Sequence, residues 1–191
     1  MSAELLLVRH AEAAGHEDVD PGISERGRGQ ARALGTRLSA LRPAGILHGP
    51  RRRATETARV LAEALPDIPV ESTPLLEDRT PVPSAGRLGD YPERFRSWLD
   101  GVPVDERDVD GAVLTAALPD LARLAEDRAG DGPLVLVTHA FVIGWFVREV
   151  LGAPTWRWLR LAPANASLTV LRWEGDGSGV LVSFNDTGHL A

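Results

Sequence analysis

Two short runs of consecutive apolar residues stand out along this chain. Residues 5–8 and 134–137 each hold four aliphatic side chains in a row, a pattern typical of strands buried on both faces of a sheet. The first run continues into Arg9 and His10, and the second is followed after one residue by His139. The pattern therefore predicts two central strands with chemically active side chains at their ends.

Elsewhere, apolar residues recur every three or four positions, which predicts amphipathic helices. The first helix begins after Ser24, a favourable N-cap residue, and ends before Pro43. The next opens with the arginines at 51–53, an unfavourable charge for a helix N-terminus unless an anion lies there. A third, over 112–128, is expected to be kinked or divided at Pro119. The positions that we expect the first helix to bury are Ala31, Leu34, Leu38 and Leu41.

Shorter apolar segments predict the remaining strands. Residues 44–48 form one, which ends at His48, and residues 68–72 form a weaker one. Three more are predicted near the end of the chain, at residues 158–162, 167–173 and 180–184. Strands alternate with helices up to residue 151, and a hairpin closes the chain. The expected fold is therefore α/β, a three-layer sandwich with a mainly parallel central sheet, an antiparallel edge and helices on both faces.

Residues 79–110 do not follow this alternation. The stretch contains several Pro and Gly residues, a short helix predicted over 91–99, and an acidic end. We expect one domain over residues 1–191, from which 79–110 departs as an excursion. It would serve as a lid, as a substrate-specificity element, or as a plain surface insertion.

Composition narrows the chemistry available to the chain. All 21 basic residues are Arg and cysteine is absent, which excludes lysine Schiff bases, thiolate catalysis and cysteine-based metal sites. The net charge of -6 argues against nucleic-acid and membrane-surface partners. No apolar run is long enough for a transmembrane helix, and no signal sequence is recognised. We expect a cytoplasmic protein without metal or cofactor, and the oligomeric state stays open.

The predicted strand ends bring candidate chemistry to one place, because the carboxyl ends of parallel strands share one edge of a sheet. Paired guanidinium groups suit a phosphoryl group, and a neutral imidazole can attack phosphorus. A carboxylic acid at Glu77 or Asp78 would protonate the leaving oxygen. The groups expected to surround the phosphoryl group are Arg9, His10, Arg53 and His139.

Four motifs then carry a resemblance to a known family. Residues 9–12, Arg-His-Ala-Glu, resemble the Arg-His-Gly-Glu signature of the histidine phosphatase superfamily, also called phosphoglycerate-mutase-like. Residues 23–31, 50–58 and 138–139 resemble its later motifs in the same order, so the match spans about residues 5–150. The C-terminal segments resemble the branch that holds the mitochondrial serine/threonine protein phosphatase. We expect no long membrane-anchoring N-terminus like that protein's, and on that expectation the substrate need not be a protein.

The resemblance implies a metal-independent phosphomonoester hydrolase that forms a covalent phosphohistidine. His10 would be the nucleophile, acting on a phosphorylated metabolite or a phosphoprotein. The general acid is Glu77 on one alignment of the Leu-x-Glu pattern and Asp78 on the other, and the branch favours Asp78. The phosphoryl oxygens would be bound by Arg9, Arg53 and His139, with further substrate contacts from Ala140 and His16.

Two alternatives remain beside the hydrolase. One is a phosphoglycerate-mutase-type phosphotransferase, although His16 stands where many mutase-type members carry Asn. The other is a non-catalytic module that binds a phosphorylated ligand in the same pocket. A binding module needs no nucleophile, so the histidine at position 10 argues against it. A Rossmann-type dehydrogenase is not expected, because no Gly-x-Gly-x-x-Gly follows the first strand.

Overall fold

A six-stranded sheet lies at the centre of the computed structural model, which describes residues 2–15, 20–174 and 176–191. The strands are β1 (Ala3–Arg9), β2 (Gly45–His48), β3 (Val70–Ser72), β4 (Thr80–Val82), β5 (Arg107–Val109), β6 (Leu134–Thr138), β7 (Leu168–Trp173) and β8 (Gly179–Asp186). The helices are α1 (Glu25–Ser39), α2 (Arg52–Ala62), α3 (Glu93–Asp100), α4 (Ala112–Glu126) and α5 (Ala140–Val150).

The order of the central sheet is β3-β2-β6-β1-β7-β8. The first four strands run parallel to their neighbours, whereas β7 is antiparallel to β1 and β8 is antiparallel to β7. The apolar runs of β1 and β6 thus lie side by side in the middle of the sheet. The predicted parallel sheet with an antiparallel edge is confirmed.

Side chains of β1 alternate between two hydrophobic clusters, because successive residues of a strand point to opposite faces. Leu5 and Leu7 pack in the cluster that includes α4 and α5. Leu6 and Val8 pack in the cluster that includes α1 and α2. All four are at most 1% exposed, and each such burial is worth about 1.5–3 kcal/mol. Helices therefore cover both faces, as a three-layer sandwich requires.

Helix α1 begins as its sequence predicts and ends slightly earlier. The Ser24 Oγ accepts a hydrogen bond from the Gly27 N–H at 3.0 Å and caps the helix. The prediction that Leu41 is buried was wrong, since its side chain is 45% exposed. The helix ends at Ser39, so Leu41 lies beyond it and does not continue the buried face of the helix. Helix α4 runs unbroken through Pro119.

The strand predicted over residues 158–162 was also wrong. Residues Thr155–Arg160 form a 3₁₀ helix that packs against α5. Pro154 precedes its first turn, and the apolar side chains of Trp158 and Leu161 lie three residues apart, a spacing that one face of a helical turn satisfies. Trp158 is fully buried there.

The stretch 79–110 holds two strands that its sequence does not reveal. Strands β4 and β5 pair in parallel as a separate two-stranded sheet, with α3 between them in the chain. The buried Asp108 carboxylate accepts hydrogen bonds from the N–H groups of Val113 and Leu114 and so holds the start of α4. Leu99 and Tyr91 are buried in the same cluster as α4 and α5. The excursion therefore shares its core with one face of the main sheet.

In the described part of the chain, no helix is both long and apolar enough to cross a bilayer.

Candidate active site

Three neighbouring parallel strands end at histidines on the same edge of the sheet. Strand β6 lies between β2 and β1 in the sheet. His48 is the last residue of β2, whereas His139 directly follows β6 and His10 directly follows β1. The register pairs Arg9 with Thr138, so the next residues, His10 and His139, lie side by side with their ring centroids 5.1 Å apart. The predicted convergence of these two histidines is present in the structure.

The His10 ring is oriented by a single backbone contact. Its Nδ1 lies 2.8 Å from the Ala11 carbonyl oxygen, which can only accept a hydrogen bond, so Nδ1 carries the proton. The lone pair is therefore on Nε2. Burial, and then the neighbouring His139, lower the pKa of His10 to about 3, and Arg53 and Arg9 act in the same direction. The ring is therefore neutral at neutral pH, with an unprotonated Nε2.

His139 stands at the N-terminus of α5 and is only 2% exposed. Neither of its ring nitrogens forms a hydrogen bond among the described residues, although the Nδ1 lies 3.3 Å from the Asp78 Oδ2. Burial lowers the pKa of His139 well below its ordinary value, and the cations Arg53, Arg51 and Arg9 add to this effect. Because buried polar atoms are nearly always paired, these nitrogens indicate a place that a ligand completes.

Arg53 and Asp78 meet beside this histidine. Arg53, in the first turn of α2, donates a hydrogen bond to the Asp78 carboxylate, whose Oδ2 also lies 3.3 Å from the His139 Nδ1. An anion is thus already held between two of the predicted phosphoryl ligands. The Asp20 Oδ1, which the sequence did not indicate, lies 3.5 Å from the Arg53 Nη1.

Glu77 is adjacent to Asp78 in the chain but has a different role. Its carboxylate accepts from Arg51 at 3.1 Å and from the Asp78 backbone N–H at 3.0 Å. Glu77 therefore orders the turn that carries Asp78. Among the described residues it forms no hydrogen bond or ion pair with Arg9, Arg53 or His139. Of the two candidate acids, the structure places Asp78 at the site.

A glycine and a threonine determine where this turn lies. A Cβ on Gly49 would come within 2.3 Å of the Leu76 carbonyl oxygen, so only glycine lets that carbonyl approach the end of β2. The same oxygen accepts from the Thr138 hydroxyl at 3.0 Å. The segment before Asp78 is thereby attached to two of the three strand ends.

Arg9 and Ala140 are the remaining predicted site residues that the structure describes. The Arg9 Nη1 donates to the Pro163 carbonyl at 2.8 Å, while its buried Nε has no partner among the described residues. Ala140 is the first residue of α5 and, with Arg9, lines a cavity beside the site. The prediction for His16 lies outside the described residues.

Two further residues, which the sequence analysis did not single out, support the nucleophile. The buried Thr57 hydroxyl accepts from the Ala11 N–H at 3.0 Å and donates to the Arg53 carbonyl at 2.7 Å, which ties the His10 loop to α2. The Asn165 side chain donates to the His10 carbonyl at 3.0 Å. Thr57 belongs to the motif segment 50–58 and Asn165 to the C-terminal segments that resemble the branch, and that was the only sequence signal of their importance.

Where the structure describes the chain, no group of three or more His, Asp or Glu side chains is arranged to hold a metal ion. The site is instead built from guanidinium groups and imidazoles, and such a set binds anionic oxygens.

Comparisons with known proteins agree with this geometry. The family model of the histidine phosphatase superfamily (branch 1) matches residues 5–187. The chain is 32% identical over 195 residues to the mitochondrial serine/threonine-protein phosphatase Pgam5 of Caenorhabditis briggsae, a match that covers 99% of this chain and 65% of that protein. The chain thus spans less than two thirds of that relative's length. The resemblance to this family and to this branch is confirmed.

Solved structures share the fold. The native mycobacterial glucosyl-3-phosphoglycerate phosphatase superposes with a TM-score of 0.75 at 24% identity, covering 97% of this chain and 99% of that one. Phosphoserine phosphatase of Entamoeba histolytica, solved with 3-phosphoglyceric acid, has a TM-score of 0.72 at 20% identity and covers 98% and 99%. At these identities the likeness establishes the three-layer fold of this chain.

Proposed function

The chain belongs to the histidine phosphatase superfamily, and from that premise we propose that it hydrolyses phosphomonoesters through a covalent phosphohistidine on His10. One observation carries the proposal. The Nδ1 of His10 is committed to the Ala11 carbonyl, so the free lone pair on Nε2 belongs to a neutral imidazole next to His139 and two arginines. A nucleophile beside fixed cations is what phosphoryl transfer requires.

In the first step, the Nε2 of His10 attacks phosphorus, and the bond from phosphorus to the ester oxygen breaks. Arg9, Arg53 and His139 bind the three phosphoryl oxygens, whose charge the transition state retains. The phosphoryl group takes the place on Arg53 that the Asp78 carboxylate now occupies. Asp78, in its carboxylic acid form, gives its proton to the leaving oxygen, and the alcohol departs.

In the second step, Asp78 acts as a base. Its carboxylate takes a proton from water as the water oxygen attacks the phosphohistidine, and the phosphorus–nitrogen bond breaks. Inorganic phosphate leaves, the electron pair returns to the Nε2 of His10, and Asp78 is protonated again. Throughout, the hydrogen bond to Ala11 holds the ring in one orientation.

The unpaired buried atoms support a phosphoryl ligand. The Arg9 Nε and the His139 Nε2 form no hydrogen bond in the described part of the chain, and the His139 Nδ1 has only the Asp78 carboxylate, at 3.3 Å, among the contacts described above. Phosphoryl oxygens would accept from the Arg9 guanidinium and from whichever His139 nitrogen carries the proton. A ligand that satisfies buried polar groups recovers free energy that the unliganded protein has lost.

The hydrolase is favoured over both alternatives. Both a mutase and a binding module use the same anion site, and only the binding module dispenses with the nucleophile. The relative and the solved structures named above are all described as phosphatases. We propose a phosphorylated small molecule or a phosphoprotein as substrate, with no metal or cofactor. The cytoplasmic location expected from the composition stays a prediction.

The test is to trap the phosphoenzyme. Wild type, His10→Ala and His48→Gln are mixed with an aryl phosphate labelled at phosphorus and quenched in alkaline detergent, because phosphohistidine is stable in base and hydrolyses in acid. We expect label on wild type and His48→Gln, none on His10→Ala, and a loss of about a thousandfold or more in kcat for His10→Ala. His48 is the matched control, because it is also a buried strand-end histidine but bonds to the Gly49 carbonyl.

Dialysis against EDTA should leave the wild-type rate unchanged. Turnover by His10→Ala at the wild-type rate, or a rate that needs an added divalent metal, would contradict the mechanism. Transfer of label to 3-phosphoglycerate rather than to water would identify a mutase.

A further inference from the structure

A cavity of about 590 Å³ opens beside the phosphoryl site. Its wall includes Arg9, which precedes the nucleophile, and Ala140, which follows His139. The Arg9 guanidinium therefore belongs both to the anion site and to the cavity. A phosphomonoester bound at His10 would place its organic group here, and the volume lies within the range of small-molecule sites.

Aromatic rings from three separate elements form one side of this cavity. Phe141 of α5 packs edge-on against Trp158 of the 3₁₀ helix, with centroids 5.2 Å apart. Trp98 of α3 lies 5.6 Å from Phe141 and 6.3 Å from Trp158. Trp158 is fully buried, whereas Trp98 is 46% exposed. A tryptophan held at a cavity wall with almost half of its surface in water gains free energy when an apolar group covers it.

The rest of the wall offers little to a polar substituent. Apart from Arg9 and the indole N–H groups of Trp98 and Trp158, the side chains that line the cavity in the described ranges are apolar. One Arg9 nitrogen is already engaged by the Pro163 carbonyl. A carboxylate, an ammonium group or sugar hydroxyls placed here would lose water without gaining partners, at a cost of roughly 1–3 kcal/mol for each group. The substrates in the names of the two solved relatives carry such polar groups, so this wall suits a different class.

We propose that this cavity holds the apolar organic group of the substrate, so that the enzyme prefers small phosphomonoesters of aromatic or long-chain alcohols. The proposal rests on the phosphatase function proposed above and names its substrate class. Trp98 and Phe141 are the specificity-determining residues, and the fully buried Trp158 packs behind them. Because Trp98 belongs to residues 79–110, that excursion is assigned the role of a substrate-specificity element.

The test uses esters of primary alcohols, whose leaving groups are chemically alike, so that rates report the fit of the organic group. The series is ethyl, butyl, hexyl and 2-(1-naphthyl)ethyl phosphate, with phosphoserine as the polar member. We expect kcat/KM to rise by about fourfold for each methylene that is buried, and the naphthyl ester to be the best substrate. Phosphoserine should be poorer than butyl phosphate.

Trp98→Ala tests the wall, because the partly exposed ring can be removed with little effect on the core. We expect kcat/KM for the naphthyl ester to fall by about tenfold, while that for ethyl phosphate stays unchanged. Leu151→Ala is the matched control, since Leu151 is also a large apolar side chain, 55% exposed, and does not line the cavity.

The two proposals fail in different ways. Turnover of every ester with the same kcat/KM would overturn the apolar site and leave the hydrolase standing. No turnover of any ester and no phosphoenzyme would overturn both. A phosphoserine peptide with a flanking aromatic residue that is hydrolysed faster than the naphthyl ester would also overturn the assignment to small phosphomonoesters.

Discussion

A single backbone carbonyl decides which nitrogen of His10 can react. The Ala11 oxygen accepts a hydrogen bond from the Nδ1–H, and burial prevents a second proton from binding at neutral pH by lowering the pKa of His10 to about 3. Nucleophilicity thus results from tautomer and desolvation rather than from an adjacent base. The sequence predicted this histidine as the nucleophile only through its motif, because the contact that sets the tautomer is visible only in three dimensions.

Asp78 and Glu77 show how far residue-level prediction could go. Both fit the Leu-x-acid pattern, and neighbouring residues of an irregular turn point in different directions. The Leu76 carbonyl oxygen accepts from the Thr138 hydroxyl and lies against Gly49. This attachment brings Asp78, rather than Glu77, to Arg53.

Removing the acid should discriminate between leaving groups. We expect Asp78→Asn to lower kcat/KM for an alkyl phosphate by about 10²–10³-fold and to affect an aryl phosphate much less, because a phenolate leaves without protonation. Glu77→Gln is the control and should change either rate by less than about threefold, since the amide oxygen can still accept from the Asp78 N–H and only the ion pair with Arg51 is lost. Steady-state kinetics on both esters measures this, and the reverse ranking of the two variants would make Glu77 the acid.

At the scale of elements, helix α1 supports the loop that follows His10. A Cβ on Gly27 would lie 2.3 Å from the Glu12 carbonyl oxygen, so the helix and the loop are in backbone contact. The Ser24 cap and its hydrogen bond to the Glu12 carboxylate fix the same junction. Periodicity and capping predicted this helix well, since both signals are local.

Two glycines of this helix provide a matched pair. Gly27→Ala should lower the free energy of unfolding by about 1–3 kcal/mol, because the new methyl group displaces the Glu12 loop. Gly29→Ala should raise it by about 1 kcal/mol, because nothing lies within 4 Å of the added Cβ and alanine favours the helix. Urea unfolding of the two variants measures the difference. Equal effects would show that the loop yields to the methyl group without cost.

Elements that depend on distant partners were predicted less well. Residues 158–162 were expected to form a strand, but Thr155–Arg160 form a 3₁₀ helix. A short, mostly apolar run fits the periodicity of either element, so the pattern could not distinguish them. Strands β4 and β5 have three residues each and exist only because they pair with one another. Their residues are separated by α3, so no local pattern marks them.

At the scale of the whole molecule, two buried histidines couple stability to pH. Burial lowers the pKa of His10 and of His139 in the folded state, whereas both titrate near 6.5 when unfolded. Below pH 6.5 the unfolded chain therefore binds protons that the folded chain does not. Stability from both groups is complete above about pH 6.5 and is lost as the pH falls below it, and for His10 the loss continues to about pH 3.

Between pH 7.5 and pH 5, His10 alone should remove about 2 kcal/mol from the free energy of unfolding. His10→Asn should therefore lose about 2 kcal/mol less than wild type over this interval, measured by urea unfolding at both pH values. Leu151→Ala removes no titratable group and should keep the wild-type dependence. Equal pH dependence of His10→Asn and wild type would show that the folded state protonates this ring at its ordinary pKa.

By itself, the sequence determined what depends on local order along the chain. The buried strands, the amphipathic helices and their caps follow from periodicity, and the parallel sheet follows from their alternation, so the convergence of His10, His139 and Arg53 at one edge could be predicted. Only the tertiary structure decided which carboxylate reaches the site and which rings line the cavity beside it. These depend on side-chain directions in irregular turns and on contacts between α3, α5 and the 3₁₀ helix, and packing sets such contacts without leaving any repeating pattern in the sequence.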